Sequence, residues 1–353
     1  MVPRPELAAD SVPGTGAWRD IENVSSSSRV AFIEGDEPRM LRAAALAVEA
    51  GLCRPVLLGK RPEIQRASRD YGIDAGAIDT LDVSDPAVRE QLVRDFERQA
   101  GPATDLRSET LSNRASWAAA LVRCGWVDAA IGGTRTTSAD MLRAGLSCIG
   151  LASERSTVSG AIFLDTQRAD VGSAGTLAFA DAVVTPMPTV EQLADIAAAT
   201  ARSWRALMRT EPRIGFLSFS TRGSSASAHV QRVREAVTLY RRRFPEETVD
   251  GELQFDAAVS KAVAERKHAT GAVAGAANVL VFPSLDSANI AYKVAEQLGG
   301  ARARAYLQGL ARPFADVSRG CSVDDIVTTL RMLLYDTLQR PEPESNLRGG
   351  VLS

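Results

Sequence analysis

Apolar and polar positions along this chain follow two rhythms. Short apolar runs, Val30 to Ile33, Pro55 to Leu58, Ala129 to Ile131 and Arg213 to Leu217, have strand character. Between the early runs the apolar positions fall three and four apart, which predicts helices: one through Leu41 and Ala45 to Val48, one over Pro62 to Tyr71, one over Met141 to Leu146. Alternation of this kind predicts parallel strands with crossover helices, an α/β fold. After Ile149 the rhythm changes, and Val158 to Leu164 and Thr176 to Ala180 read as two strands joined by a polar loop, so a domain boundary is expected near residue 154. The stretch Ala272 to Phe282 reads as a loop feeding a buried strand. Ser322 and Asp325 stand at capping-box spacing, and Ile326, Leu330, Leu333 and Leu334 follow them at helical intervals.

Residues 1–27 are rich in Pro, Ser and small polar types and lack the apolar core of a signal peptide, so a flexible arm is expected there, and a flexible tail from Arg340. No run reaches the roughly 18 apolar residues of a membrane span. At 353 residues the chain is long enough for two domains with substantial interiors. A formal charge of -2 gives no general basic surface, which argues against a nucleic-acid partner. Basic residues are nearly all arginine, with Lys60, Lys261, Lys267 and Lys293 the exceptions. A single Arg therefore carries little information unless it sits in a distinctive loop.

Cys53, Cys124, Cys148 and Cys321 show neither paired metal spacing nor the density of a disulfide scaffold, which fits a reducing cytoplasm. Cys321 lies beside Arg319 at a helix start and is either a nucleophile of lowered pKa or a small buried residue. His229 and His268 lack partners for a triad or a metal, so acid-base work falls to carboxylates.

Three loops share one composition. Gly132-Gly-Thr-Arg-Thr-Thr-Ser138, followed by Asp140 and Arg143, comes straight after a strand-like run, as does Ser218-Phe-Ser-Thr-Arg-Gly-Ser-Ser225; Asp316-Val-Ser-Arg-Gly-Cys-Ser-Val-Asp-Asp325 opens a helix. Hydroxyls, glycine, arginine and the free N–H groups of a helix start are what an anionic ligand needs. In a parallel sheet such loops stand where ligands bind. Taken alone, the third loop is either an anion site or a plain helix cap beside a solvated Arg319; three together point to a cleft that handles phosphate.

Several segments carry a family resemblance. Leu307-Gln-Gly-Leu-Ala-Arg-Pro-Phe-Ala-Asp-Val-Ser-Arg-Gly-Cys-Ser322, Asp250-Gly-Glu-Leu-Gln-Phe-Asp-Ala-Ala258, the run from Leu217, Phe282-Pro-Ser-Leu-Asp-Ser-Ala-Asn-Ile-Ala-Tyr-Lys293, Ala31-Phe-Ile-Glu-Gly-Asp-Glu-Pro-Arg-Met-Leu-Arg42 and Pro55-Val-Leu-Leu-Gly59 resemble, in order, the motifs of the phosphate acetyltransferase and phosphate butyryltransferase family. The resemblance implies a two-domain α/β/α architecture with mostly parallel sheets, like that of isocitrate and isopropylmalate dehydrogenases. It implies a first domain of residues 28–154 plus 304–339, a second of residues 155–303, an active cleft between them, and a homodimer. The implied reaction moves an acetyl group reversibly between acetyl phosphate and the thiol of coenzyme A, with inorganic phosphate released. Coenzyme A is a substrate, and no resident cofactor or metal is expected.

By the same resemblance Asp325 is the base that takes the thiol proton, Arg319 meets the acyl phosphate, Ser318 hydrogen-bonds the reacting groups, and Arg143 is a second phosphate ligand. Thr136 and Thr137 would complete the phosphate cradle, and Ser220, Thr221, Arg222 and Gly223 would contact coenzyme A. Asp325 and Arg143 also have plainer readings, as a helix cap and a helix-surface arginine. Moving a proton from a thiol of pKa about 8.5 to an ordinary Asp at about 3.9 costs roughly 6 kcal/mol, so the cleft has to raise the carboxylate or lower the thiol. The chain departs from the family pattern in three places: a short segment between Asp105 and Trp117, where Arg107 or Arg114 would supply a further cleft arginine; Asp181-Ala-Val-Val-Thr-Pro-Met-Pro188, which lacks the asparagines common there; and Arg304-Ala305, which adds bulk and charge near the cleft. Two alternatives stand beside acetyl transfer, a propionyl or butyryl transferase and a catalytically weak homologue that senses acetyl-CoA or acetyl phosphate.

Overall fold

The computed structural model describes residues 21, 24, 26–100, 111–152, 157–317 and 319–339. Its first sheet is all parallel. β1 (Arg29–Phe32) is central, with β2 (Arg54–Leu58) and β3 (Asp79–Leu81) on one side and β4 (Ala129–Gly132) and β11 (Phe314–Asp316) on the other. Strand order therefore reverses between β1 and β4, the position where open α/β sheets form a ligand crevice. Both faces are covered. Val30 and Phe32 pack with α1 (Pro38–Glu49) and α11 (Val323–Gln339), while Ala31 and Ile33 point the other way against α4 (Arg114–Arg123), the period-two alternation of a strand buried on both sides. α2 (Arg61–Tyr71) and α3 (Pro86–Ala100) complete the crossovers.

The second sheet is mixed. Its order runs β10 (Arg302–Gln308), β5 (Ser159–Asp165), β6 (Thr176–Ala180), β9 (Val279–Val281), β7 (Ile214–Leu217), β8 (Val249–Leu253), antiparallel across the first two pairings and parallel across the rest. α6 (Val190–Met208) buries Trp204, and α7 (Ala228–Arg243) buries Tyr240, in a core continuous with the face of the first sheet that α1 and α11 cover. α6 begins with a capping box in which Thr189 and Gln192 exchange hydrogen bonds. The expected boundary at residue 304 falls inside β10, which pairs with β5 over its whole length, and the chain re-enters the first sheet only at Phe314.

Ile21 and Val24, counted with the N-terminal arm from sequence, are buried in the core. Residues 1–20 and 340–353 lie outside the described residues. No described helix is long and apolar enough to cross a membrane.

Gln308 ties the end of β10 to α6 inside this core. Its Nε2 donates to the hydroxyls of Ser159 and Thr200, at 2.9 and 2.8 Å, and its Oε1 accepts from Ser203 at 2.8 Å. Gln308→Ala strands these hydroxyls, and we expect urea unfolding to show a loss of about 2 kcal/mol.

Candidate active site

At the carboxyl end of β1 the chain turns through Glu34, whose side chain is only 2% exposed. The Gly133 N–H donates to both Glu34 oxygens at 3.2 Å, and Thr136 donates to Oε1 through its N–H at 3.1 Å and its hydroxyl at 2.7 Å. The loop after β4 is thus built around an internal carboxylate. This corrects the expectation for Thr136: its donors are committed within the protein. Thr137 caps α5 (Ser138–Ala144), accepting from the Asp140 N–H at 3.2 Å and donating to Oδ2 of Asp140 at 2.8 Å. α5 runs into a π turn over Gly145–Ile149. Gly133 has φ +113°, and a Cβ there would collide with Asp316 Oδ1 and the Val317 carbonyl, so only glycine fits.

The second sheet repeats the design. Glu252 on β8, 2% exposed, accepts from Arg234 Nε at 2.8 Å, the Gly223 N–H at 2.8 Å and the Ser220 hydroxyl at 2.9 Å. Burial alone would raise this carboxyl, but the hydrogen bonds from Arg234, Gly223 and Ser220 outweigh it and bring the pKa down to about 2. Asp181, 1% exposed, likewise accepts from the N–H groups of Gly160, Val183, Val184 and Thr185 at 2.7–3.0 Å.

The loop expected to contact coenzyme A has its donors taken by internal partners, although Arg222, Gly223 and Ser224 are exposed. Ser220 is fully buried, Thr221 pairs with Gln254, Gly223 is spent on Glu252, and the Arg222 guanidinium binds Asp250 at 2.6 Å and also the Thr270 carbonyl. Ser220, Arg222 and Gly223 thus serve the buried acids Glu252 and Asp250 on β8, with the very donors that the sequence offers to a ligand, while Thr221 is bound to Gln254.

The turn after β11 is different. Arg39 on α1 clamps its backbone, donating to the carbonyls of Arg319 and Cys321 at 2.8 Å each. The Arg319 side chain is exposed, and no ion pair joins it to another described residue. Ser318 lies outside the described residues. Asp325 is exposed and accepts from the N–H and hydroxyl of Ser322, both at 2.8 Å, so the capping box is real. Arg304, half-buried on β10, has its pKa lowered by burial, an effect opposed by Asp165, Asp324 and Asp325, so the departure seen in sequence places a cation near the Asp325 carboxylate.

Arg143 is exposed and paired with Asp140 at 2.6 Å on the surface of α5, the plainer of its two readings. Arg107 is outside the described residues, and Arg114 is bound to Asp36, which also takes Arg135 at 2.6 Å.

A further candidate, not expected from sequence, is the carboxyl of Asp316, the first residue of the loop that opens α11. A cleft of about 200 Å3 opens where the first sheet meets the second, lined by Ser138, Ala139 and Leu142 of α5, Val183 and Val184 after β6, Leu307 of β10, and Asp316. Burial pushes Asp316 up to about 6, against the pull of the Ser138 hydrogen bond and of Arg319 and with a further push from Glu34. None of Arg143, Arg319 and Asp325 lines this cleft. A carboxylate directly after an apolar run was the signal available; it also marks Glu34.

Comparison with known proteins agrees with the motif order. The phosphate acetyl/butaryl transferase family matches residues 20–333. A phosphate acetyltransferase from Clostridium acetobutylicum is 37% identical over 306 residues, which are 86% of this chain and 92% of that protein. The crystal structure of a phosphotransacetylase from Streptococcus pyogenes superposes with a TM-score of 0.84 at 31% identity, covering 92% of this chain and 98% of that one. A chain described as a 4-hydroxythreonine-4-phosphate dehydrogenase from Salmonella typhimurium, at 13% identity and TM-score 0.52 over 88% of this chain and all of its own, shares the fold alone. The expected dehydrogenase-like α/β architecture is therefore the one found.

Two outcomes follow from the site's electrostatics. Because the Glu252 pKa falls from 4.5 to about 2 on folding, its stabilisation is full above about 4.5 and is lost as pH drops toward 2. Urea titrations should show Glu252→Gln less stable by about 2–3 kcal/mol at pH 7, with the gap to the parent protein closing as the pH is lowered through that window. Burial raises the Cys321 thiol to about 11, so iodoacetamide at pH 7.5 should leave Cys321 unmodified in the folded protein, as peptide mapping would detect.

Proposed function

The chain belongs to the phosphate acetyl/butaryl transferase family, and from that premise we propose that it is a phosphate acetyltransferase, moving an acetyl group between acetyl phosphate and coenzyme A with inorganic phosphate as the other product. The observation that carries the reading within the structure is the cleft at the carboxyl ends of β4 and β11. It is small, below the roughly 300–1,000 Å3 of pockets that take drug-sized ligands, which suits an acetyl phosphate better than a whole coenzyme A. Its apolar wall of Leu142, Val183, Val184 and Leu307 suits an acyl methyl group, and Arg319, outside the lining, is close enough to act electrostatically on the Asp316 carboxyl at its end.

In this reading the coenzyme A thiolate attacks the acyl carbon directly. Arg319 stabilises charge on the acyl phosphate, with the hydroxyl of Ser318 next to it in the chain. Asp325 takes the thiol proton, and its exposed position leaves it open to a large substrate that enters from solvent. Arg143 keeps a phosphate-binding role only if a ligand draws it away from Asp140. Cys321 has no part, since its thiol is buried and of raised pKa. This reading places the protein in the cytoplasm and gives it no resident metal.

We further propose a homodimer. Ile290, Val294 and Leu298 lie four residues apart on α10 (Leu285–Gly299) and are 62%, 50% and 85% exposed, an apolar stripe that a second copy would cover.

Thioester absorbance with acetyl phosphate and coenzyme A tests the activity, and we expect turnover that persists in EDTA. Arg319→Ala should lower turnover about a hundredfold or more, as loss of a preorganised charge donor does; near-normal turnover would remove Arg319 from the site. Cys321→Ala should retain turnover, and an acetyl group trapped on that sulfur would overturn direct transfer.

A further inference from the structure

Direct transfer requires one proton beyond the one that leaves the thiol for Asp325. When a thiolate attacks an acetyl phosphate dianion, the bond between the acyl carbon and the bridging oxygen breaks, and that oxygen departs with the electron pair. Unprotonated, the leaving group would be the phosphate trianion, far too basic to leave readily near neutral pH. One proton has to reach the bridging oxygen during the step, giving hydrogen phosphate. The base that receives the thiol proton does not deliver it unless it also touches that oxygen.

We propose that Asp316 is a second catalytic residue, a general acid that gives its proton to the bridging oxygen as phosphate leaves, and in the reverse direction takes that proton from the attacking hydrogen phosphate. The proposal rests on the phosphate acetyltransferase reading and extends it. Three observations support it. Asp316 lines the cleft at the end of β11, and its Oδ1 is shut off from solvent without a hydrogen-bond partner among the described residues. The loop that turns around Glu34 packs directly on that oxygen, because a Cβ on Gly133 would collide with it. The charged groups facing it are Glu34 at the end of β1 and Arg319 in the turn after β11, and on the α5 side Ser138 hydrogen-bonds the carboxyl.

A half-buried carboxyl near a buried acid keeps its proton to higher pH than an ordinary Asp, and desolvation pushes this one up to about 6. A phosphoryl dianion bound beside it raises it further, by the same like-charge effect. Glu34 does not serve in its place: its oxygens already accept from Gly133 and Thr136. Asp325 lies outside this cleft. The proton cycle closes when the proton taken from the next thiol returns through solvent to Asp316.

The test compares acetyl phosphate with acetyl methyl phosphate, whose leaving group, methyl phosphate dianion, departs without a proton. With acetyl phosphate, Asp316→Asn should lower kcat about a hundredfold or more, the usual worth of a general acid. The KM for coenzyme A should change little, and the fall of the parent enzyme's kcat at high pH should disappear in the variant. With acetyl methyl phosphate, the variant and the parent should turn over at nearly the same rate. Equal impairment on both substrates would mean that Asp316 only holds the fold, and no impairment on either would mean that it is idle; each result overturns the proposal. If Asp316→Asn does not fold, the parent enzyme alone decides: its rate must fall with rising pH on acetyl phosphate and not on acetyl methyl phosphate. A parent enzyme that makes no thioester from acetyl phosphate overturns the activity itself, a failure distinct from an active parent whose two pH profiles coincide.

Discussion

Buried carboxylates at the ends of strands hold this structure's loops in shape. Glu34, Asp181 and Glu252 are each 2% exposed or less, and each gathers backbone N–H groups from a loop that would otherwise leave them unsatisfied. A buried charge is tolerable only when several donors surround it, and an N–H removed from water is tolerable only when it finds an acceptor. Each requirement meets the other. The result is a set of rigid, glycine-dependent loops at the carboxyl ends of two sheets, which is where an α/β protein makes its ligand site.

That arrangement explains what was legible in the sequence and what was not. The alternation of apolar runs and helical spacing gave the parallel first sheet, because Val30, Ala31, Phe32 and Ile33 are buried on both faces and read as continuous strand. The change of rhythm after Ile149 gave the antiparallel β5 and β6. The boundary expected at residue 304 cuts β10 because Leu307 and Gln308 sit in a motif whose next part belongs to the first sheet; pairing with β5 depends on a partner some 140 residues away, which no local pattern carries.

The loops themselves were found, but their occupants were not. Hydroxyls, glycine and arginine suit an anion whether it is a bound phosphate or a carboxylate of the chain, and composition does not distinguish the two. Thr136 and Ser220 turned out to serve the chain's own acids. Arg143 and Asp325 took the short-range partners that their spacing also allowed, Asp140 three residues back and Ser322 three residues back. Arg319 alone among the expected phosphate ligands is clamped through its backbone and exposed through its side chain, a geometry suited to a substrate anion.

The donors in these loops are therefore of two kinds: those consumed in holding the loops and the Arg319 guanidinium left for substrate. Titration calorimetry of inorganic phosphate binding puts this to the most direct test, with Thr136→Val and Arg319→Ala compared against the parent chain under conditions where all three are folded. The account predicts that phosphate affinity survives Thr136→Val and is lost in Arg319→Ala. Affinity lost with the threonine and kept without the arginine would contradict it.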